Sequence, residues 1–427
     1  MSAGDKRRGP EKSPDKFTEV HLSSGSAGEL PRVHHPRRAL PEDIVRPSRA
    51  EVHLSHLRYN LAVLRRAVGK TPLWAVLKAD GYGHGAKAVA RTLERAGADG
   101  VCVALVEEGV ELREAGIRLP ILVMGGYYGN ALRELCHYRL TPVLSDREQV
   151  ESLAWSLKHS NVGSIKAHVK VDTGMARLGT RFDGWPRLIE SLCRHEHIEL
   201  EGLMTHLANA DSRDPDALEE PLRLFSQAAL AFQKGGKKPH CLHMANSAAT
   251  LRDRRTHFDL VRPGIALFGV HPLQELSPAL VHAHPLDTPL KPTMSIRSRI
   301  VSLRELKKGD KVGYGGSFVA SGPCTVATVP MGYADGLSRL LSNRASVLID
   351  GVRAPIVGTI SMDMTMVDVT QLPLVQMGDD VVFLGPQKGR TREDCITTIE
   401  MAEWTDSIPW EVLTNISRRM PRFYREA

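Results

Sequence analysis

Ala75-Val76-Leu77-Lys78-Ala79-Asp80-Gly81-Tyr82-Gly83-His84-Gly85 is the stretch on which the reading of this chain turns. An apolar run that reads as a buried strand ends in a lysine, and a glycine-rich turn follows it at once. An amphipathic helix continues from about Ala86 to Arg95. Burying a lysine is costly unless it is paired or neutralised. One chemical answer is a Schiff base, which leaves no free ammonium to desolvate. The glycines and Tyr82 suit a phosphate near the start of the following helix, where backbone N–H groups lack partners. Lysine, turn and helix together suggest a site for pyridoxal phosphate.

Outward from this unit the pattern repeats. Strand-like apolar runs cover 73–79, 100–106, 120–125, 140–145, 165–172, 200–207, 240–246 and 258–268. Helices between them begin near His84, Glu107, Asn130, Asp146, Pro186, Asp216 and Ser247. Such alternation fits a (β/α)8 TIM-like barrel or a doubly wound open sheet. The count of eight favours the barrel, and so does the placement of polar residues. Lys78, Lys170 with the following Arg177, Thr205-His206, Asn246-Ser247 and Arg262-Pro263-Gly264 all fall at or just beyond the C-terminal ends of different strands. Barrel enzymes build their sites there.

The flanks read differently. Residues 1–45 are rich in Lys, Arg, Ser, Pro and Gly, and are expected to be a disordered or loosely attached tail; His34-His35 lies in it. Ala50–Leu54 alternates like a short strand available to the C-terminal domain. Ser55 is then expected to cap a helix bearing Leu57, Leu61 and Leu64. From about Leu290 short β-branched runs appear at 295–303, 324–330, 345–349, 354–357, 365–369 and 380–383, before a helical stretch at 397–404. The expected fold is therefore α/β: a barrel over 46–287, then a mostly antiparallel β domain over 288–427.

Composition narrows the function. Of 427 residues, 42% are hydrophobic and 25% charged, as in soluble globular proteins. The net charge of +7 is modest, and no basic stripe interleaved with aromatics points to nucleic acid. No apolar run reaches the length of a membrane span, and the N-terminus lacks the apolar region of a secretory signal. Six scattered cysteines show no metal spacing and read as reduced thiols of a cytoplasmic protein.

In order along the chain stand Lys78-Ala79-Asp80-Gly81-Tyr82-Gly83-His84-Gly85, Lys170-Val171-Asp172-Thr173-Gly174-Met175 and Ala245-Asn246-Ser247-Ala248-Ala249. Val312-Gly313-Tyr314-Gly315, Gly332-Tyr333-Ala334-Asp335-Gly336 and Ser361-Met362-Asp363 follow. With these motifs the chain, from Arg46 to Tyr424, resembles the alanine racemase family, pyridoxal-phosphate enzymes of fold type III. The resemblance implies that Lys78 carries the cofactor and serves as one base, while Tyr314 reaches into the partner subunit's site as the other. Racemisation needs a group on each face of Cα. A tyrosine is a weak base at neutral pH, so neighbours such as His206 must assist it. Arg262 is expected at the pyridine nitrogen. A guanidinium accepts no hydrogen bond, so that nitrogen stays unprotonated. Tyr82, Asn246, Ser247, Gly264, Ile265 and Trp410 are implied around the cofactor, with Ser247 also able to cap a helix. Arg177 and the Met362 backbone are implied at the substrate carboxylate, and Lys170 matches a position often carbamylated.

Three residues depart from the family's pattern. Ser361 stands for cysteine, Thr359 for arginine, and Trp410 for tyrosine, the last bulkier and able to narrow the pocket. The implied activity is interconversion of L- and D-alanine by a homodimer, with D-alanine destined for peptidoglycan. A serine or broad-specificity racemase is the nearest alternative. A fold-type III decarboxylase would be expected to set a carboxylate where Arg262 stands, and a PLP carrier would lack the second domain.

Overall fold

Nearly continuous apolar runs make the central strands, because a parallel sheet walled by helices is buried on both faces. The computed structural model describes residues 45–128, 131–273 and 288–426. After β1 (Arg49–His53) and a helix at Leu54–Val68 come seven parallel strands: β2 (Trp74–Val76), β3 (Gly100–Val103), β4 (Ile121–Val123), β5 (Thr141–Leu144), β6 (Ile165–Lys170), β7 (Ile198–Met204) and β8 (Cys241–His243). They pair in sequence order. The expected eighth strand is reduced to a parallel bridge between Leu73 and Val261. There the Trp74 N–H reaches the Val261 carbonyl and the Val76 N–H that of Pro263, both at 2.9 Å. Pro263 has no N–H to extend the ladder, and Ile265–Phe268 turns into a 3-10 helix. Closure is thus made by side-by-side segments rather than by a full strand.

The remaining strands are β9 (Met294–Arg299), β10 (Ser302–Leu306), β11 (Lys311–Val312), β12 (Phe318–Val319), β13 (Cys324–Val329), β14 (Ser346–Ile349), β15 (Val352–Pro355), β16 (Thr365–Asp368), β17 (Asp380–Lys388), β18 (Glu393–Ile396) and β19 (Arg422–Arg425). A second seven-stranded sheet runs β15-β14-β17-β9-β1-β19, with β18 on β17. β1 therefore precedes the barrel in sequence yet lies in the C-terminal sheet, antiparallel to β9 and parallel to β19. Buried Asn60 ties barrel and sheet together through the Leu267 carbonyl and both backbone groups of Lys291.

Two local expectations need correction. Ser55 is not a cap: the helix begins at Leu54 after His53, with no side-chain cap. The 295–303 run is not one strand but two, β9 and β10, in different sheets. The expected tail and the helix start near Asn130 fall outside the described residues, apart from Val45.

Candidate active site

Behind Leu77 the chain makes a left-handed turn. Ala79, Asp80, Gly81 and Tyr82 all have φ between +52° and +63°, and a left-handed conformation costs a non-glycine residue about 1–2 kcal/mol. Side chains hold the turn in place. Glu108 Oε1 accepts the Ala79 N–H at 2.6 Å, and Asp80 Oδ1 accepts the Ala86 N–H at 2.9 Å, at the start of the helix Ala86–Arg95. Strain that is over-determined in this way marks a position held for a purpose. The turn sets Lys78 at the mouth of the barrel and buries Tyr82 beneath it.

A cavity opens at the C-terminal ends of the strands. Lys78, Tyr82, Lys170, Arg177, His206, Asn246, Ser247, Arg262, Gly264, Ile265 and Trp410 all line it. Lys78 is not the buried lysine expected from its strand: its side chain is exposed to the cavity, although partial desolvation and then Arg177 lower its pKa. Lys170 is buried, and desolvation, Arg177 and Arg262 bring it to about 8. His206 falls to about 3, mainly through desolvation and then Arg262, so it is a neutral imidazole. Burial raises the Tyr82 phenol, which stays a hydroxyl donor. Four cations around one cavity suit an anionic occupant.

Ser247 is not a cap either. Asn246 caps the helix Ser247–Arg252, accepting the Ala249 N–H at 3.0 Å. This frees Ser247 Oγ to accept the N–H groups of Gly264 (2.8 Å) and Ala266 (3.3 Å). A Cβ at Gly264 would stand 2.3 Å from Tyr82 Oη, so only glycine fits between the phenol and the cavity. The resulting cup of hydroxyls and backbone suits a phosphate, and Lys78 supplies an amine for an aldehyde. The residues fit pyridoxal phosphate.

Tyr314 and Met362 lie elsewhere. Both belong to the C-terminal domain, 76% and 52% exposed, and neither lines this cavity. They share a region, since Gly313 bridges Thr359 and the Met362 carbonyl accepts the Ala334 N–H. The sequence reading missed the polar side chains behind Arg262: His168, Glu201 and His243. The signal available was a histidine within an otherwise apolar strand, at 168 and at 243.

Barrel, β domain, lysine-bearing turn and phosphate-sized cup define a two-domain pyridoxal-phosphate protein of the barrel class. Residues 52–272 match the alanine racemase N-terminal domain, and 293–424 the alanine racemase C-terminal domain. The chain belongs to the alanine racemase family, whose members are pyridoxal-phosphate-dependent isomerases. It is 52% identical over 388 residues to alanine racemase of Sorangium cellulosum, covering 90% of this chain and all of that one. To alanine racemase 2 of Caldanaerobacter subterraneus it is 38% identical, over 90% and 96% of the two chains. Among solved structures, alanine racemase from Bacillus anthracis with bound L-Ala-P superposes with a TM-score of 0.82 at 32% identity, over 89% and 95% of the chains. The Bartonella henselae enzyme with covalently bound pyridoxal phosphate gives 0.75 at 31%, over 88% and 99%.

Proposed function

We propose that this protein interconverts L- and D-alanine with two bases, Lys78 on one face of Cα and the partner subunit's Tyr314 on the other. The observation that carries the reading is the convergence of Lys78, Arg177, Arg262 and the Ser247–Gly264 cup on one cavity. When bound, pyridoxal phosphate supplies the electron sink that stabilises negative charge at the substrate's Cα. Tyr82, Ser247, Gly264 and Ile265 hold its phosphate, with Asn246 and Trp410 beside it. Arg262 donates toward the ring nitrogen and takes no proton from it. Arg177, with the Met362 backbone of the other subunit, orients the substrate carboxylate by charge-assisted hydrogen bonds. Lys78, its pKa already lowered, moves the proton on its own face. Neutral His206 stands as a hydrogen-bond partner for the incoming phenol. Lys170, near 8, has enough free amine for carbamylation, which would turn a cation into an anion beside Arg177.

The exposure of Tyr314 and Met362, away from their own chain's cavity, supports a homodimer with shared sites. The cysteines are unpaired, which supports a reducing compartment, the cytoplasm; peptidoglycan is the use we propose for the D-alanine. Trp410 in the cavity wall keeps serine as a second substrate to assay.

Two inactive variants test the scheme together. Lys78→Ala and Tyr314→Phe should each abolish racemisation of alanine. Mixed and allowed to exchange subunits, they should regain activity, because one of the two sites in a mixed dimer carries both native bases. Failure of the mixture to recover while native subunits exchange freely would refute sharing. Wild-type protein that binds the cofactor yet racemises neither L-alanine nor L-serine would refute the activity.

A further inference from the structure

A column of polar side chains runs through the barrel behind the cavity, and the proposed reaction uses only its first member. Barrel interiors are normally filled by apolar branched side chains. Here Arg262, His243 and His168 are all buried, at 2% exposure or less. Arg262 Nη1 lies against His243 Nδ1. His243 Nε2 is 2.8 Å from His168 Nδ1. His168 Nε2 has no hydrogen-bond partner within normal range, and faces Glu201 Oε2 at 3.6 Å, an electrostatic contact. Glu201 Oε1 accepts from Lys166 Nζ at 3.0 Å, where the column meets solvent.

The protons along this column have only one consistent arrangement. A guanidinium donates and never accepts, so His243 Nδ1 is an acceptor and its hydrogen sits on Nε2. That hydrogen goes to His168 Nδ1, which places the His168 hydrogen on Nε2, aimed at Glu201. Every donor from Arg262 to His168 points toward Glu201. We propose that His168 and Glu201 are positioning residues for Arg262, forming with His243 a one-way relay that fixes the guanidinium and brings it a distant counter-charge. Arg262 forms no ion pair among the described residues; its other donors meet the carbonyls of Thr205 at 2.8 Å and Met244 at 3.3 Å.

The backbone makes room for the relay in two ways. A Cβ at Gly202 would stand 2.5 Å from His168 Nδ1, so glycine is needed opposite the ring. The pairing of β6 and β7 also shifts register, from Ala167–Leu200 to His168–Gly202, leaving Glu201 as the extra residue. Such bulges re-aim side chains. Charge states agree with this geometry. Desolvation, with Arg262 adding to it, lowers His243 well below its ordinary range, and desolvation also lowers His168. Contact with His168 and the bond from Lys166 bring Glu201 to about 2, against the opposing effect of burial.

His168, Cys241 and His243 also offer three ligand atoms within 4.8 Å of one another. A metal there would need imidazole nitrogens that already share a proton, and would sit beside a guanidinium. Burial pushes the Cys241 thiol up to about 12, away from the thiolate that a metal requires. The cluster is built for protons.

The catalytic consequence rests on the proposed reading of Arg262, whereas the relay itself does not. Nitrogen-15 spectra of histidine-labelled apoprotein should show both rings neutral with the proton on Nε2. In the holoenzyme, Glu201→Gln should shift the visible absorbance of the bound cofactor and lower kcat about tenfold, the scale on which loss of an outer partner acts at metal centres, with little change in KM. Glu199→Gln, one turn of the pleat away on the same strand, should do neither. A proton on Nδ1 of either ring, or stoichiometric metal in the purified protein, would overturn the relay. So would an Arg262→Lys variant that alters the absorbance while Glu201→Gln does not. If Arg262→Lys itself leaves the absorbance unchanged, the reading of Arg262 fails instead, and the positioning role falls with it.

Discussion

Gly264 shows how one missing methyl group shapes the site. Its Cβ would come within 2.3 Å of Tyr82 Oη, and the phenol is itself buried against Phe268. Gly264→Ala should push the hydroxyl out of the cup and weaken cofactor binding about tenfold or more, a loss of roughly 1.4 kcal/mol, read by absorbance titration of apoprotein. Trp410 lines the same cavity. Exchange for tyrosine removes ring volume, and Trp410→Tyr should raise the ratio of kcat/KM for L-serine over L-alanine by about tenfold; an unchanged ratio would remove Trp410 from specificity. The cavity-lining residues were legible in sequence because they cluster in motifs at strand ends. Which oxygen meets which N–H was not, so the helix cap allowed for Ser247 falls to Asn246. His168 and His243 stayed hidden because their significance lies in side-chain parity across three strands, which linear order does not display.

At the scale of elements, the turn after β2 is held from the far end of the chain. Buried Arg422, in β19, donates to the carbonyls of Gly83 (3.1 Å), Met420 (2.7 Å) and Ile416 (2.6 Å). A Cβ at Gly85 would strike Tyr424 Oη, so the same strand also packs directly on the turn. Arg422→Met keeps much of the volume and strands several carbonyls. It should destabilise the protein by about 3 kcal/mol, seen as a lower urea midpoint, and loosen cofactor binding through the turn. A normal midpoint would show that β19 packing alone holds the turn. The helix Ala86–Arg95 was legible to the residue, since its apolar spacing is local. β19 was not, because a polar Arg-Phe-Tyr-Arg segment becomes a strand only by pairing with β1, far away in sequence. The break between β9 and β10 was equally hidden. The Ile300 N–H bonds the Asp379 carbonyl, just before β17, and the Val301 N–H bonds that of Thr328 in β13 of the other sheet.

Across the whole molecule, the buried histidines should set the acid limit of stability. His84 lies at the junction of turn and sheet, its Nδ1 near the Tyr82 carbonyl at 2.8 Å and its Nε2 near the Thr293 hydroxyl at 2.8 Å. Burial, against the pull of the Tyr82 and Gly81 carbonyls, lowers it to about 4, while His206 falls to about 3 and His243 also lies well below its ordinary range. In the unfolded chain each titrates near ~6.5. Above that value neither state binds the proton, and the shift has no effect on stability. As pH falls below it, the unfolded chain takes up protons that the native state refuses, and stability drops until the folded values are reached. Between neutrality and about pH 5 each such histidine contributes a loss of up to about 2 kcal/mol. Three together approach about 5 kcal/mol, a large part of a domain's usual margin. Depressed carboxylates such as Glu201 add their share only at lower pH, as the unfolded carboxylates begin to protonate near ~4.3. Urea unfolding of the apoprotein should therefore show stability falling steeply from neutral to mildly acidic pH. In His84→Gln, where the ring no longer titrates, the fall over the same interval should be smaller by about 2 kcal/mol. A wild-type midpoint that does not move with pH would mean that these imidazoles are protonated in the native state, and with them the proton order assigned behind Arg262 would fail.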